Sequence, residues 1–195
     1  MAIALADLPK GLRWDYHFQG AYRHSNEYAT EGTDADAQSI LSVNSLTQMH
    51  ELRISYRIKK ATIRGIAEVN WTQMHSEQHT FDKFSYTDFN YGLSFHSPLV
   101  WGIDFDTDLM VYCRRGYNDA SMNTTNWVWN ASLSKAFGKR EQWVVKANGF
   151  DLLHQISTVR RTVNAQGRTE TWYNTIPSYA TLHIVYRLDI KPKKK

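Results

Sequence analysis

The chain has 195 residues, of which 42% are hydrophobic and 13% aromatic, with 23 basic against 19 acidic side chains. This length suits one domain, and the apolar content excludes a disordered chain. One cysteine, Cys113, excludes a disulfide framework, and the balanced charge excludes a nucleic-acid binder with a dedicated basic face. The longest apolar run, Met1 to Ala6, falls far short of the about 20 residues that a membrane-spanning helix needs.

Alternation of apolar and polar residues with a period of two runs through most of the chain and predicts strands with two different faces. We predict an all-β fold with eight strands, each longer than the about 5–6 residues of a typical globular strand. In chain order, the apolar positions are Leu12, Trp14, Tyr16, Phe18 and Tyr22; Leu52, Ile54, Tyr56 and Ile58; Ile63, Ala67, Val69 and Trp71; Phe89, Tyr91, Leu93 and Phe95; Trp101, Ile103, Phe105, Leu109 and Val111; Trp127, Trp129, Ala131, Leu133 and Phe137; Trp143, Val145 and Ala147; and Leu182, Ile184, Tyr186, Leu188 and Ile190.

The connections between these strands alternate between short and long. The short ones are 59–60, 97–100 and 138–140, and the long ones are 25–46, 75–83, 115–125 and 152–178. Short turns on one side and long loops on the other are typical of an antiparallel up-and-down transmembrane β-barrel with periplasmic turns and extracellular loops. We therefore predict an outer-membrane barrel segment over 1–190, followed by a basic tail over 191–195.

The tryptophans suggest which face meets lipid, because six of the seven occupy apolar positions. Those near the predicted short turns are Trp14, Trp101 and Trp143, and those near the long loops are Trp71, Trp127 and Trp129. We call these two groups the tryptophan belts. Such belts are expected at the two boundaries between a lipid-facing surface and water. The alternative is a soluble lipocalin-like barrel, which would turn the same face inward around a ligand.

Two segments near the end of the chain carry a family resemblance. The segment from Trp129 to Gln155, WNASLSKAFGKREQWVVKANGFDLLHQ, resembles the penultimate hairpin of the outer-membrane β-barrel family of TonB-dependent receptors of Bacteroidetes-like bacteria. The segment from Ser157 to Leu188 resembles the same family's last extracellular loop and closing strand. The stretch from Gly149 to Gln155 is the most specific piece, although the family usually has Asn where His154 stands.

The resemblance implies a protein of the bacterial outer membrane that binds and takes up substrates. Such receptors have a barrel of typically 22 strands around an N-terminal plug, and a periplasmic energy-coupling protein drives them. This sequence shows no signal peptide, plug or coupling box, and it continues into Lys191–Lys195 instead of ending on an aromatic residue. We therefore expect the C-terminal part of such a barrel. Its partners would be membrane lipid, the remaining barrel, the plug and the coupling protein.

A self-contained eight-stranded barrel with a structural or surface-binding role is a second possibility, since eight strands can close around a side-chain-filled interior. No nucleophile elbow, phosphate loop or dinucleotide fingerprint occurs in the sequence. We therefore predict that the protein is not an enzyme and needs no cofactor.

Three groups of residues are candidates for chemistry. His75, Glu77 and His79 have metal-ligand side chains, but a polar loop explains them better. Asp104, Asp106 and Asp108 resemble a calcium loop, yet the motif's later positions hold Leu109 and Arg115. Strand alternation explains these aspartates, with Arg64 or Arg114 as expected partners. The third group, aromatic and basic loop residues placed to contact a ligand, comprises Tyr117, Arg160, Arg161, Arg168, Trp172 and Tyr173.

Overall fold

A computed structural model describes residues 9–30, 38–76, 83–157, 159–164, 167–174 and 176–188. Within these ranges lie ten β-strands and two single-turn 3₁₀ helices, η1 (Val100–Gly102) and η2 (Ala120–Met122). The strands are β1 (Leu12–Thr30), β2 (Gln38–Ile58), β3 (Ala61–Ser76), β4 (Lys83–Pro98), β5 (Ile103–Arg115), β6 (Thr125–Phe137), β7 (Trp143–Phe150), β8 (Val159–Asn164), β9 (Gly167–Trp172) and β10 (Tyr179–Tyr186). No helix in these ranges has the length and apolar character to cross a membrane.

Eight strands form one antiparallel sheet in the order β1-β2-β3-β4-β5-β6-β7-β10, which confirms the predicted all-β, up-and-down arrangement. Strands β8 and β9 form a separate hairpin, so that β10 pairs with β7. The sheet is open, because β1 and β10 are its two edges and do not pair in the part of the chain that the structure describes.

The strands extend well beyond their predicted ends at the long-loop side. The predicted loop 25–46 is wrong over most of its length, because β1 continues to Thr30 and β2 begins at Gln38. Alternation fades there because polar residues occupy both faces, yet backbone pairing between the two strands continues without it. The predicted loop 152–178 is also wrong in part, since it contains the β8–β9 hairpin.

The short turn after β4 differs from the prediction at one tryptophan. Trp101 lies in η1 and has a φ of 61°, so it precedes β5 and is not part of that strand. Its side chain is 81% exposed. The turn needs this backbone because Leu99 N–H donates to the carbonyl of Ile103 and closes the hairpin.

The register brings the apolar positions of all eight strands onto one face of the sheet. One row across the middle of this face runs Trp14, Ile54, Gly65, Leu93, Leu109 and Trp129. A row nearer the short turns runs Phe105, Leu133, Ala147 and Leu182. We call this surface the apolar face and the opposite surface the polar face.

The buried core lies at the long-loop end of the sheet, on the polar face. Met74 of β3 and Phe84 of β4 point away from the apolar face of their strands and pack with Tyr117 and Met122 of the β5–β6 loop, with Tyr86 against the cluster. The loop that carries η2 therefore folds over the polar face. Apolar side chains thus change faces along β3 and β4, a feature that the prediction did not contain.

The short turns are staggered along the strand direction. One row of paired residues on the polar face runs Thr62, His96, Asp106, Ser132 and Asn148. Thr62 is the second residue of β3, whereas Ser132 precedes the end of β6 by five residues. The strands are therefore inclined to a line through their turns, as strands of barrels are inclined to the barrel axis.

Candidate functional site

Charged side chains on the polar face have partners on the same or a neighbouring strand. Arg53 Nε lies 2.7 Å from Glu51 Oε1. His96 Nδ1 lies 2.7 Å from Asp106 Oδ1, and Asn130 donates to Asp108 Oδ2 at 2.8 Å. The register places His96 opposite Asp106 and Asn130 opposite Asp108, and Arg64, an expected partner, lines the same small pocket as both aspartates.

A compact ionic cluster joins the polar face to the β5–β6 loop. The hydroxyl of Tyr117 donates to Asp88 Oδ1 at 3.0 Å and accepts from Arg114 at 2.7 Å. The guanidinium of Arg114 lies 4.4 Å from the centroid of the Tyr117 ring and 3.4 Å from Asp88. Tyr117 was predicted as a ligand contact, but its side chain is buried and holds the loop in place.

Burial raises the pKa of Tyr117 above its ordinary value and outweighs the lowering by the hydrogen bond from Arg114, while the negative charge of Asp88 adds to the rise. The unfolded chain releases this proton near pH 10. The folded chain holds it to higher pH, so the stabilisation is complete below pH 10 and is lost as pH rises further.

Tyr117→Phe should lower the free energy of unfolding by about 1–2 kcal/mol near neutral pH, because Asp88 and Arg114 lose a shared hydrogen-bond partner. The difference between parent and variant should shrink above about pH 10. Urea unfolding of both proteins in the same detergent, at several pH values, measures it. A difference that is absent at neutral pH, or that grows above pH 10, would contradict the assignment.

A tight turn after β7 is organised by one buried carboxylate. The side chain of Asp151 is fully buried and accepts hydrogen bonds from the backbone N–H groups of Gln155 and Ile156 at 3.1 and 2.9 Å. Its own N–H donates to Asn130 Oδ1 at 3.0 Å. The turn also lies along β6, where the side-chain oxygen of Gln155 accepts from Trp127 N–H.

The same turn contains a histidine with a left-handed backbone. His154 has a φ of 58°. Asparagine adopts this conformation more readily than most residues because its short polar side chain can bond locally to the backbone. An asparagine at position 154 would therefore suit this backbone better than the histidine present here.

A pocket of about 360 Å³ opens beside this turn, on the polar face. Its lining residues come from the end of β5, the β5–β6 loop, the start of β6, the segment after the Asp151 turn, and the segment after β9. They are Arg114, Met122, Thr124, Asn126, Ser157, Val159, Arg160 and Tyr173. We call this site the loop-end pocket.

The loop-end pocket brings together only some of the predicted ligand contacts. Arg160 and Tyr173 line it, whereas Trp172 is 71% exposed and lies outside the lining. The side chains of Arg161 and Arg168 lie outside the described residues. Sequence reasoning missed Arg114 and Asn126 as lining residues. The break of apolar parity at Met74, Phe84 and Tyr86 is a signal that the polar face carries a folded loop here.

The two other candidate groups do not form a metal site in the described part of the chain. His75 is exposed near the end of β3, while Glu77 and His79 lie outside the described residues. No group of three metal-binding side chains occurs among the described residues. Cys113 is buried on the apolar face opposite Phe89, as its position in the alternation predicts.

The fold and the pocket define the class of protein as an all-β antiparallel sheet with a loop-end cleft. No protein-family model, curated protein or solved structure matches the chain.

Proposed function

We propose that this chain is the C-terminal barrel portion of an outer-membrane receptor resembling the TonB-dependent family, with its apolar face against lipid. The observation that carries the proposal is the change of face along β3 and β4. Between the short turn and Trp71 the large apolar side chains of β3 share one face except for Ile66, and beyond Trp71 the buried Met74 lies on the other. A strand leaving a bilayer for water needs this change, since its outer surface becomes polar and its inner surface packs under a loop.

The distance between the tryptophan belts supports this placement. Trp71 lies ten residues beyond the start of β3, and Trp127 lies ten residues before the end of β6. Ten strand residues measure about 33 Å, or about 25 Å in height at a barrel tilt of about 40°. This height equals the height of the apolar band of a membrane barrel. Trp101 and Trp143 would then lie at the boundary of the band near the short turns.

The apolar face needs a covering that the described part of the chain does not supply. Leu93, Leu182 and Ile184 are 65%, 68% and 65% exposed, although each lies on the apolar face. A bilayer around an outward-facing apolar surface supplies such a covering. Polar groups on this face are partly satisfied locally, since Trp129 Nε1 donates to Thr107 at 2.8 Å.

The edges of the sheet favour a larger barrel over a self-contained one. Among the described residues, β1 and β10 each have one edge that pairs with no other strand, and further strands would cover these edges in a larger barrel. The stagger of the short turns supplies the strand tilt that a barrel requires. The receptor role itself rests on the resemblance around Asp151 and on a pocket at the loop end, where ligands would arrive.

Tryptophan fluorescence in lipid vesicles tests the placement of the faces. We expect lipids brominated near the headgroup to quench the refolded chain more than lipids brominated near the chain ends, because both belts lie at boundaries. Leu93→Trp should add a component quenched by the deeply brominated lipid. Ser132→Trp, which lies on the polar face as many residues from the short-turn end of its strand as Leu93, should not. Equal quenching of both variants would reject the proposal.

Gel mobility separates the two barrel alternatives. A closed eight-stranded barrel resists SDS until heated, so boiled and unboiled samples would migrate differently. A segment of a larger barrel is expected to show no such shift when refolded in detergent, because its edge strands stay unpaired. A clear heat-dependent shift would favour the self-contained barrel.

A further inference from the structure

The charges of the loop-end pocket are unbalanced. Two guanidinium groups, Arg114 and Arg160, line it, and none of the described lining residues is acidic. Asp88 contacts Arg114 from outside the lining and neutralises one of these charges. No hydrogen bond or ion pair joins the side chain of Arg160 to another described residue. Among the described residues, the charge of Arg160 is therefore the unbalanced one at the pocket.

The remaining lining has an apolar side and a polar side. Val159 and the ring of Tyr173 supply the accessible apolar surface, and Thr124, Asn126 and Ser157 supply hydroxyl and amide groups. A guanidinium binds carboxylate, sulfonate and phosphonate groups through paired N–H donors, while an aromatic side chain packs against a planar ring. A volume of about 360 Å³ is in the range of small-molecule sites.

We infer that the loop-end pocket binds a small organic anion in which an acidic group is attached to a planar ring. Arg160 contacts the acidic group, and Tyr173 with Val159 holds the ring. This inference names the ligand class of the receptor proposed above and rests on that proposal for its biological meaning. The binding itself does not depend on which face of the sheet meets lipid.

Fluorine NMR of the full chain refolded in detergent tests the inference, with 4-fluorobenzoate as probe and 4-fluorobenzamide as its neutral analogue. We expect line broadening of the benzoate signal by the parent chain and little broadening of the benzamide signal. Arg160→Gln should weaken benzoate binding about tenfold or more by removing the charge. Arg140→Gln, in the exposed turn between β6 and β7, is the matched control and should leave binding unchanged.

Three results would overturn the inference. They are equal binding of benzoate and benzamide, unchanged benzoate binding by the Arg160→Gln variant, and absence of benzoate binding to the folded parent. Raised salt should weaken binding if the charge contributes, because exposed charges are screened. The quenching experiment does not involve Arg160, so failure of the ligand assignment is distinguishable from failure of the membrane placement.

Discussion

Leu93→Arg is expected to destabilise the protein in a bilayer by about 2–4 kcal/mol, the cost of a charge at the middle of the lipid-facing surface. Leu93 lies five residues from the end of β4, midway between the two tryptophan belts. Its side chain is 65% exposed, so the same substitution in a soluble protein would be nearly neutral. The size of the loss in stability therefore shows whether this face meets lipid or water.

The matched control is Ser132→Arg, at a corresponding height on the polar face. Ser132 lies five residues from the end of β6 and pairs with Asp106, which offers the new charge a partner. We expect a change below about 1 kcal/mol. Urea unfolding of both variants in vesicles, followed by tryptophan fluorescence, gives the comparison. If Leu93→Arg is tolerated as well as Ser132→Arg, the apolar face does not meet lipid.

Asp151→Ala should lower the free energy of unfolding by about 2–3 kcal/mol, because two backbone N–H groups lose their charged acceptor. Asp151→Asn keeps one carbonyl oxygen and should lose less. Asp104→Ala is the control, since this carboxylate is exposed on β5. Thermal or urea unfolding in detergent measures all three.

The same substitution should also weaken benzoate binding. Ser157, Val159 and Arg160 follow the Asp151 turn and line the loop-end pocket, so loss of the turn displaces them. Asp151→Asn should retain more binding than Asp151→Ala. An Asp151→Ala chain as stable as the parent would show that the buried carboxylate does not organise this turn.

Much of the fold was predictable because strand alternation is a local property. A residue such as Leu93 or Trp129 belongs to the apolar face through its own position in the chain, and the register only aligns it with its neighbours. The three short turns were placed correctly apart from Trp101, whose left-handed backbone depends on the closure of the hairpin around it. The β8–β9 hairpin was missed because Val159, Val163 and Trp172 are too few apolar residues to show an alternating pattern.

The candidate site was less accessible from sequence because its residues meet only through tertiary contacts. Arg160 and Tyr173 were recognised as loop residues with suitable chemistry, but nothing in their spacing selects Arg114 and Asn126 as neighbours. Tyr117 shows the opposite error. Its side chain looked available to a ligand, whereas the folded loop buries it against Asp88.

The sequence by itself determined the strands of the main sheet, the alternation of their faces and the placement of short and long connections, because each follows from residues close together in the chain. Only the tertiary structure decided where β1 and β2 end, how Met74 and Phe84 come to lie under Tyr117, and which arginines line the loop-end pocket. Backbone pairing extends a strand regardless of its side chains, and a loop selects its contacts by folding over a distant surface. Neither effect produces a periodic pattern of apolar and polar residues in the sequence.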